Sequence, residues 1–218
     1  LENQLSCIYI NQGGGNFVKN TTLVSMVNGT AFGSAWADFD NDGWQDLFVS
    51  RFHRTNKLLR NRQGRFEELP ASALLSEDYS SFPYNEMSSM SCAWGDYNND
   101  GFQDLYLAVN NGFNSRLYKN GTNQYNWITI TLKGKASNAN AIGARVKLKA
   151  NGQWQYRWVQ SGTGYAAHNS FPVEFGLGKA TVIDSVVIRW PSGIEQTLKN
   201  LAVNQLLTVT EASITNGI

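Results

Sequence analysis

The sequence predicts an all-β protein, and three observations support this fold class. Short stretches rich in β-branched and aromatic residues recur along the chain, separated by turns rich in Gly and Asn. A segment of fourteen residues recurs almost unchanged after an interval of 58 residues. Hydrophobic residues make up 42% of the 218 residues, which is enough to build a packed core.

The repeated segment spans residues 36–49 and 94–107, and each copy reads as a strand, an acidic loop and a second strand. A second repeating element lies between these copies, because residues 8–13 resemble residues 58–64, and residues 117–121 begin a third copy. Each unit is therefore predicted to be a short hairpin followed by an acidic hairpin. About four strands per unit is the content of a propeller blade. Residues 70–78, which link the two units, are expected to hold one short helix.

The two acidic loops carry the strongest chemical signal in the sequence. Seven of the nine Asp residues lie in two windows of nine residues, where like charges repel unless a cation neutralises them. Each loop reads Asp-x-Asp/Asn-x-Asp-Gly-x-x-Asp, so oxygen ligands at positions 1, 3 and 5 face one hollow and Gly permits the sharp turn. The backbone carbonyl of position 7 and the carboxylate of position 9 complete the predicted shell. The predicted ligands of the two Ca²⁺ ions are Asp38, Asp40, Asp42, Trp44 and Asp46, and Asp96, Asn98, Asp100, Phe102 and Asp104.

Three alternatives to a calcium site fit these loops less well. An EF-hand requires a Glu at position 12 and flanking helices, but position 12 is Val49 in one loop and Leu107 in the other. Mg²⁺ prefers strict octahedral geometry and retained waters, and zinc or copper would need Cys or His ligands. An Asx-rich turn without metal is the third alternative, and two copies in register count against it.

A change of composition after about residue 125 predicts two domains, residues 1–124 and residues 125–218. The acidic loops stop there, and seven short strands follow, which is typical of a β-sandwich or barrel. The predicted strands are 127–132, 142–150, 153–160, 173–175, 182–190, 196–198 and 205–210.

Residues 153–159 alternate between Trp or Tyr and mostly polar residues, so one face of this strand is wholly aromatic. Period-2 alternation normally marks a core face, and we expect Trp154, Tyr156 and Trp158 to be buried. If they are exposed instead, they form a platform for sugar rings. His53 and His168 have no nucleophile or paired base nearby in sequence, so no catalytic residue is predicted.

The motifs resemble known families. Phe32-Gly33 followed by residues 36–47, and again residues 94–105, resemble FG-GAP (VCBS) repeats, as in the propellers of integrin α-chains. The segments NANAIGARV, GTGY, FGLG and WPSG, which begin at residues 138, 162, 175 and 190, resemble the ASPIC/UnbV domain. This order is that of the cartilage acidic protein family and its bacterial relatives. The resemblance implies a secreted calcium-binding protein, but two units and a fragment of a third cannot close a propeller. The chain is thus expected to be part of a longer protein, a compact structure in which the two units pack against the ASPIC-like domain, or one subunit of an oligomer.

The expected function is an extracellular adhesion or recognition module with structural calcium, secreted or, in a bacterium, periplasmic or on the cell surface. The alternative is a carbohydrate-active enzyme, lyase or hydrolase, or a carbohydrate-binding fragment; the sequence shows no acid/base pair beyond the metal ligands, so the enzyme is less favoured. The expected partner is a glycan or an extracellular protein. A net charge of +1 argues against nucleic acid, and no apolar run is long enough to span a membrane. The sequence is compatible with two thiols at Cys7 and Cys92 or with one disulfide between them.

Overall fold

A computed structural model describes residues 7–27, 31–51, 55–70, 89–110, 114–121 and 123–213. These residues form sixteen strands and one short helix, which confirms the all-β fold class. His53 lies outside the described residues, and so does the helix predicted in 70–78 apart from its first residue. Within the ranges given, the helix has six residues, so no helix there could cross a membrane.

The first half begins with a hairpin of β1 (Tyr9–Gly13) and β2 (Asn16–Lys19), followed by helix α1 (Thr21–Met26). The side chain of Asn20 caps this helix by accepting a hydrogen bond from the Leu23 N–H at 2.9 Å. A four-stranded antiparallel sheet comes next. Its strands, in order, are β3 (Ala31–Ala37), β4 (Asp46–Arg51), β5 (Lys57–Arg62) and β6 (Arg65–Leu69).

A second sheet repeats this arrangement with three strands, β7 (Ser89–Gly95), β8 (Asp104–Val109) and β9 (Arg116–Tyr118). In both sheets the acidic hairpin comes first and pairs with the strand that follows it. The prediction that each unit starts with the short hairpin is therefore wrong, because the strand that pairs with each acidic hairpin follows that hairpin in the chain. The registers correspond: Ala37 opposes Asp46 in the first sheet, and Gly95 opposes Asp104 in the second.

The two sheets pack against each other through a shared apolar cluster centred on Trp94. The ring of Phe39 stacks on Trp94, and the ring of Phe48 meets it edge-on, both with centroids 6.4 Å apart. The Trp94 Nε1–H donates to the Ala35 carbonyl at 3.3 Å. Burial of these large side chains fixes the position of one acidic loop relative to the other.

The remaining strands form two further sheets that enclose the largest core. The seven predicted strands are all present, as β10 (Asn126–Lys133), β11 (Arg145–Ala150), β12 (Gln153–Trp158), β13 (Val173–Gly178), β14 (Val182–Arg189), β15 (Glu195–Ala202) and β16 (Gln205–Thr210). One sheet has the order β13-β10-β16, with β10 and β16 parallel, and the other has the order β12-β11-β14-β15. Ile128, Ile130, Phe175, Ile188 and Trp190 lie in the core that they share.

The aromatic strand β12 contradicts one expectation. Trp154, Tyr156 and Trp158 are exposed, and it is Gln155 and Arg157 on the opposite face that lie against the rest of the molecule. The reason is that the inner face of β12 meets polar backbone: Gln155 Nε2 donates to the Gly176 carbonyl at 2.6 Å, and Arg157 Nε donates to the Glu174 carbonyl at 3.1 Å. Burial there requires hydrogen-bonding side chains, so the aromatic residues face outward.

Cys7 and Cys92 are not bridged in the structure. Cys92 lies in the cluster around Trp94, and burial raises the pKa of its thiol to about 12. At neutral pH this thiol is therefore protonated and unreactive.

The exposure of β12 leads to a direct stability test with a matched control. Trp158 is 52% exposed and Trp190 is 2% exposed. We expect Trp158→Ala to change the free energy of unfolding by no more than about 0.5 kcal/mol. Trp190→Ala should cost about 3–5 kcal/mol because it opens a cavity in the core. Denaturant unfolding of both variants measures the difference. Equal losses of unfolding free energy would contradict the exposure of Trp158 on the outer face of β12.

Candidate metal centre

Each acidic loop connects the two strands of a hairpin, and a left-handed turn folds it back on itself. In the first loop Asn41 and Gly43 have φ of 59° and 95°, and in the second Asn99 and Gly101 have φ of 59° and 86°. Asn tolerates this backbone region better than most residues, and Gly adopts it without strain. The Asx-x-Asx-x-Asp-Gly spacing therefore produces the same backbone bend in both loops.

The first loop brings three of its predicted ligands together. One carboxylate oxygen each from Asp38, Asp40 and Asp42 lie within 4.8 Å of one another. Asp38 is almost fully buried, and its Oδ2 accepts hydrogen bonds from the Gly43 N–H at 2.9 Å and the Gly176 N–H at 3.1 Å. Its Oδ1 is buried and has no hydrogen-bond partner. A buried carboxylate oxygen without a partner is costly unless a cation binds it.

These residues fit a hard divalent cation. Ca²⁺ binds oxygen ligands at about 2.3–2.6 Å, so two ligands on opposite sides of one ion lie roughly 5 Å apart. The 4.8 Å limit on the carboxylate trio agrees with that separation. A cation at the centre of the trio would supply the partner that Asp38 Oδ1 lacks and would neutralise the mutual repulsion of three carboxylates.

The aspartates at position 9 hold the base of each loop in the same way in both units. The two oxygens of Asp46 accept from the Phe39 N–H at 3.1 Å and the Asn61 N–H at 2.7 Å. The two oxygens of Asp104 accept from the Tyr97 N–H at 3.1 Å and the Asn120 N–H at 2.7 Å. Neither residue belongs to a cluster of three acidic groups among the residues described, so their role as ligands stays a prediction.

The second loop has the same turn but a different set of contacts. Asp96 Oδ2 accepts from the Gly101 N–H at 2.8 Å, and its Oδ1 accepts from the Asp100 N–H at 3.0 Å, so both oxygens are already engaged. The amide nitrogen of Asn98 donates to Asp100 Oδ2 at 2.8 Å. In both loops the backbone N–H of position 7 donates a hydrogen bond to the Asp side chain at position 5. The Trp44 N–H donates to Asp42 at 2.9 Å, and the Phe102 N–H donates to Asp100 at 3.0 Å.

Sequence reasoning missed two asparagines that hold the loops. Asn61 Nδ2 donates to the Gln45 carbonyl at 2.9 Å, and Asn120 Nδ2 donates to the Gln103 carbonyl at 3.1 Å. Each also provides the N–H that binds the position-9 Asp. The signal was in the sequence, because the repeated elements 58–64 and 117–121 share this Asn. Asn120 also links the units, since its Nδ2 donates to the Phe39 carbonyl at 2.6 Å.

The loops also contact the C-terminal sheets, as in the compact two-part structure that was one of the three expectations, although no local motif indicates which residues meet. Strand β13 contacts the first loop twice: the Gly176 N–H binds Asp38, and the Gly178 N–H donates to the Asn41 carbonyl at 2.9 Å. A Cβ on Gly176 would lie 2.3 Å from both Asn41 Cα and Asp38 Oδ2, so only Gly fits this approach. The first acidic loop therefore forms part of the boundary between the repeats and the C-terminal sheets.

The second loop reaches the same part of the molecule. The Asp96 N–H donates to Glu174 Oε1 at 3.4 Å, and Gly101 lies against the ring of Trp127. The two loops also touch one another, because Asn41 Nδ2 donates to the Gly101 carbonyl at 3.0 Å. The loops and β13 thus form one connected hydrogen-bonded network.

Burial dominates the electrostatics of the loops. It raises the pKa of Asp38 to about 8 and that of Asp46 to about 9, and neighbouring carboxylates add to both increases. Burial also raises the pKa of Asp42 to about 6, again with a contribution from Asp40. Arg157 opposes this effect at Asp38, with its guanidinium nitrogen 4.0 Å from Oδ2. Without a bound cation, the carboxyl groups of Asp38 and Asp46 are therefore mostly protonated at neutral pH.

A cleft of about 890 Å³ opens beside the first loop, and Asp40, Asp42, Trp44, Tyr125 and Gln155 are among the residues that line it. Asp40 and Asp42 are only partly buried. An ion can therefore reach the carboxylate trio from solvent without unfolding of the surrounding strands.

Two protein families match different parts of the chain. Residues 3–49 and 38–107 match the FG-GAP-like repeat, and residues 134–216 match the family described as ASPIC and UnbV. The chain therefore consists of FG-GAP-like repeats followed by an ASPIC and UnbV domain, and the resemblance drawn from the sequence motifs is confirmed.

Two curated relatives of this chain are integrin α-chains. The chain is 34% identical to integrin alpha-3 of Cricetulus griseus and to integrin alpha-3 of Mus musculus, in each case over 110 residues. Each alignment covers 45% of this chain and 10% of the integrin. The chain thus matches about a tenth of the length of these relatives.

The raised pKa values predict an unusual pH dependence in the metal-free protein. A carboxyl group whose folded pKa lies above its unfolded value of about 3.9 stabilises the fold at low pH, and that contribution is lost as pH rises towards the folded pKa. Because the pKa of Asp38 is about 8, the melting temperature in chelator should fall between about pH 5 and pH 8. Saturating calcium should remove or reverse this fall, because it binds the ionised carboxylates.

The control for this measurement is Asp38→Asn, which has nearly the same shape and cannot ionise. Its metal-free melting temperature should depend less on pH than that of the wild type. A metal-free wild type whose melting temperature rises over this range would contradict the assigned burial of the loop carboxylates.

Proposed function

We propose that this chain is an extracellular recognition module that binds two calcium ions, one in each acidic loop, as structural elements. The observation that carries the proposal is the buried, unpartnered Oδ1 of Asp38 within the carboxylate trio of the first loop. In this proposal the ion of the first loop is held by Asp38, Asp40, Asp42 and Asp46 with the carbonyl of Trp44. The ion of the second loop is held by Asp96, Asn98, Asp100 and Asp104 with the carbonyl of Phe102.

Calcium in these sites rigidifies the loops and joins the repeats to the ASPIC and UnbV domain. The first loop accepts hydrogen bonds from β13 through Asp38 and Asn41, so ordering the loop orders this boundary. A fixed boundary presents the surfaces of both parts in one orientation, as a recognition module requires.

The similarity to FG-GAP-like repeats and to integrin alpha-3 supports an adhesion or recognition role and a location outside the cell. In a bacterium that location is the periplasm or the cell surface. The partner is a glycan or an extracellular protein, and calcium has no chemical step to perform in this role.

The proposal predicts a large effect of calcium on stability. A ligand that binds only the folded state stabilises it by about 2.7 kcal/mol when its concentration is 100 times Kd. Thermal melts with calcium and with excess chelator should therefore differ by several degrees. Identical melts, in a chelated sample shown to be free of metal, would rule out structural calcium.

The two loops should also differ in affinity. The first offers four carboxylates and has an unpartnered oxygen at Asp38, whereas the second has neutral Asn98 at position 3, and hydrogen bonds already engage both oxygens of Asp96. Ligand charge tunes calcium affinity, so the first loop should bind more tightly, and Asn98→Asp should narrow the gap. Calorimetric titration of Asp42→Ala and Asp100→Ala measures each site alone. If Asp42→Ala retains the tighter of the two affinities, the ranking is wrong.

A further inference from the structure

The outer face of the sheet β12-β11-β14-β15 carries two adjacent rows of side chains of different chemistry. On the edge strand β12, Trp154, Tyr156 and Trp158 are 43%, 55% and 52% exposed. On the neighbouring strand β11, the residues directly opposite them are Lys149, Lys147 and Arg145, in that order. Directly opposed residues of an antiparallel pair lie on the same face, so an aromatic row runs alongside a cationic row.

The positive charge extends over the next two strands. Arg189 on β14 lies opposite Arg145, and Lys199 on β15 belongs to the same face, since its partner Ser185 opposes Lys149. The acidic residues of these four strands are Glu195 on β15 and Asp184 on β14, which is exposed. Five cations against two carboxylates give the face a net positive charge in a chain whose net charge is only +1.

The aromatic residues divide into two roles. The Lys147 and Lys149 ammonium groups lie over the ring of Trp154, 5.0 and 5.9 Å from its centroid. Trp154 therefore holds these two cations in place through cation–π contacts. Tyr156 and Trp158 leave about half of their surface open for contact with a ligand.

A cleft beside this strand provides polar groups next to the aromatic rings. It has a volume of about 180 Å³, and Trp36, Tyr156, Trp158, Gln45, Gln103 and Gln160 are among the residues that line it. Side-chain amides both donate and accept hydrogen bonds, which matches the neighbouring hydroxyl groups of a sugar. Aromatic surface with a few convergent polar groups is typical of a site for a small ring-shaped ligand.

We infer that this face binds an acidic polysaccharide. The sugar rings stack on Tyr156 and Trp158, and the carboxylate or sulfate groups pair with Lys147, Lys149 and Arg145. A nucleic acid is disfavoured because proteins that bind its dense backbone charge usually carry a strong overall basic field, and this chain is almost neutral. A membrane surface is disfavoured because the exposed apolar row is aromatic, lies in a sheet edge and adjoins amide groups. The inference rests on the proposed recognition function and names the class of its partner, but it is independent of calcium binding because none of the proposed calcium ligands lies on this face.

The test is a set of binding measurements at saturating calcium with four probes of known chemistry. These are a hyaluronan oligosaccharide with carboxylates, a chondroitin sulfate oligosaccharide with carboxylates and sulfates, neutral dextran, and a single-stranded oligonucleotide. Calorimetry and quenching of Trp fluorescence report binding. At least one acidic oligosaccharide should bind ten-fold or more tightly than dextran, and its affinity should fall as salt rises.

Substitutions on the face separate stacking from charge. Trp158→Ala and the double variant Lys147→Gln/Lys149→Gln should each weaken binding at least ten-fold, with thermal melts close to that of the wild type. Matched controls are Tyr106→Ala, which removes a tyrosine 49% exposed on β8, and Lys133→Gln, which removes an exposed lysine from β10. Both controls should bind as the wild type does.

Four outcomes would overturn the inference. The first is that neither acidic oligosaccharide binds, and the second is that dextran binds as tightly as the acidic oligosaccharides. The third is that the oligonucleotide binds more tightly than they do, and the fourth is that both face variants bind the acidic oligosaccharide as the wild type does. Melts of every variant show whether the fold is intact, and the lysine variant keeps the test decisive if Trp158→Ala unfolds.

Discussion

The buried carboxylate of Asp38 is the constraint on which the rest of the structure depends. One of its oxygens accepts a hydrogen bond from its own loop and another from Gly176 of β13, 138 residues further along the chain. The other oxygen is buried without a partner, and Asp40 and Asp42 bring two more carboxylates to the same place. The calcium ion that we propose here would offset the desolvation of Asp38, neutralise the repulsion of the three carboxylates and fix the loop that β13 contacts. Gly at position 176 follows from the same constraint, since a larger residue would occupy the space of Asp38.

The two loops act as one unit because they share contacts with each other and with the ASPIC and UnbV domain. Asn41 of the first loop binds the Gly101 carbonyl of the second, and Asn120, which braces the second loop, binds the Phe39 carbonyl of the first. The second loop in turn lies on Trp127 and Glu174. Through these contacts the two sheets that carry the acidic loops pack against the C-terminal domain.

The sequence predicts local features well here, and it fails where contacts are distant. The acidic loops follow from the spacing of Asp and Gly alone, and the seven C-terminal strands follow from alternation and turn residues. The burial of β12 could not be predicted, because alternation shows that a strand has two faces and not which one the protein covers. Gln155 and Arg157 are covered since they satisfy the carbonyls of Gly176 and Glu174, and this leaves the aromatic face outside. The contact of β13 with Asp38 carries no local signal at all, whereas the braces at Asn61 and Asn120 could have been found by aligning the repeats.

The central claim is that calcium orders the boundary between the repeats and the ASPIC and UnbV domain, and amide hydrogen exchange tests it most directly. The informative groups are the N–H of Gly176, which binds Asp38, and the N–H of Gly178, which binds the Asn41 carbonyl. The N–H of Val186, on a fully buried position of β14 in the core, is the reference. The account predicts that calcium slows exchange at Gly176 and Gly178 relative to chelator, by a larger factor than at Val186. Equal changes at all three amides would show that calcium acts on global stability alone and would contradict the account.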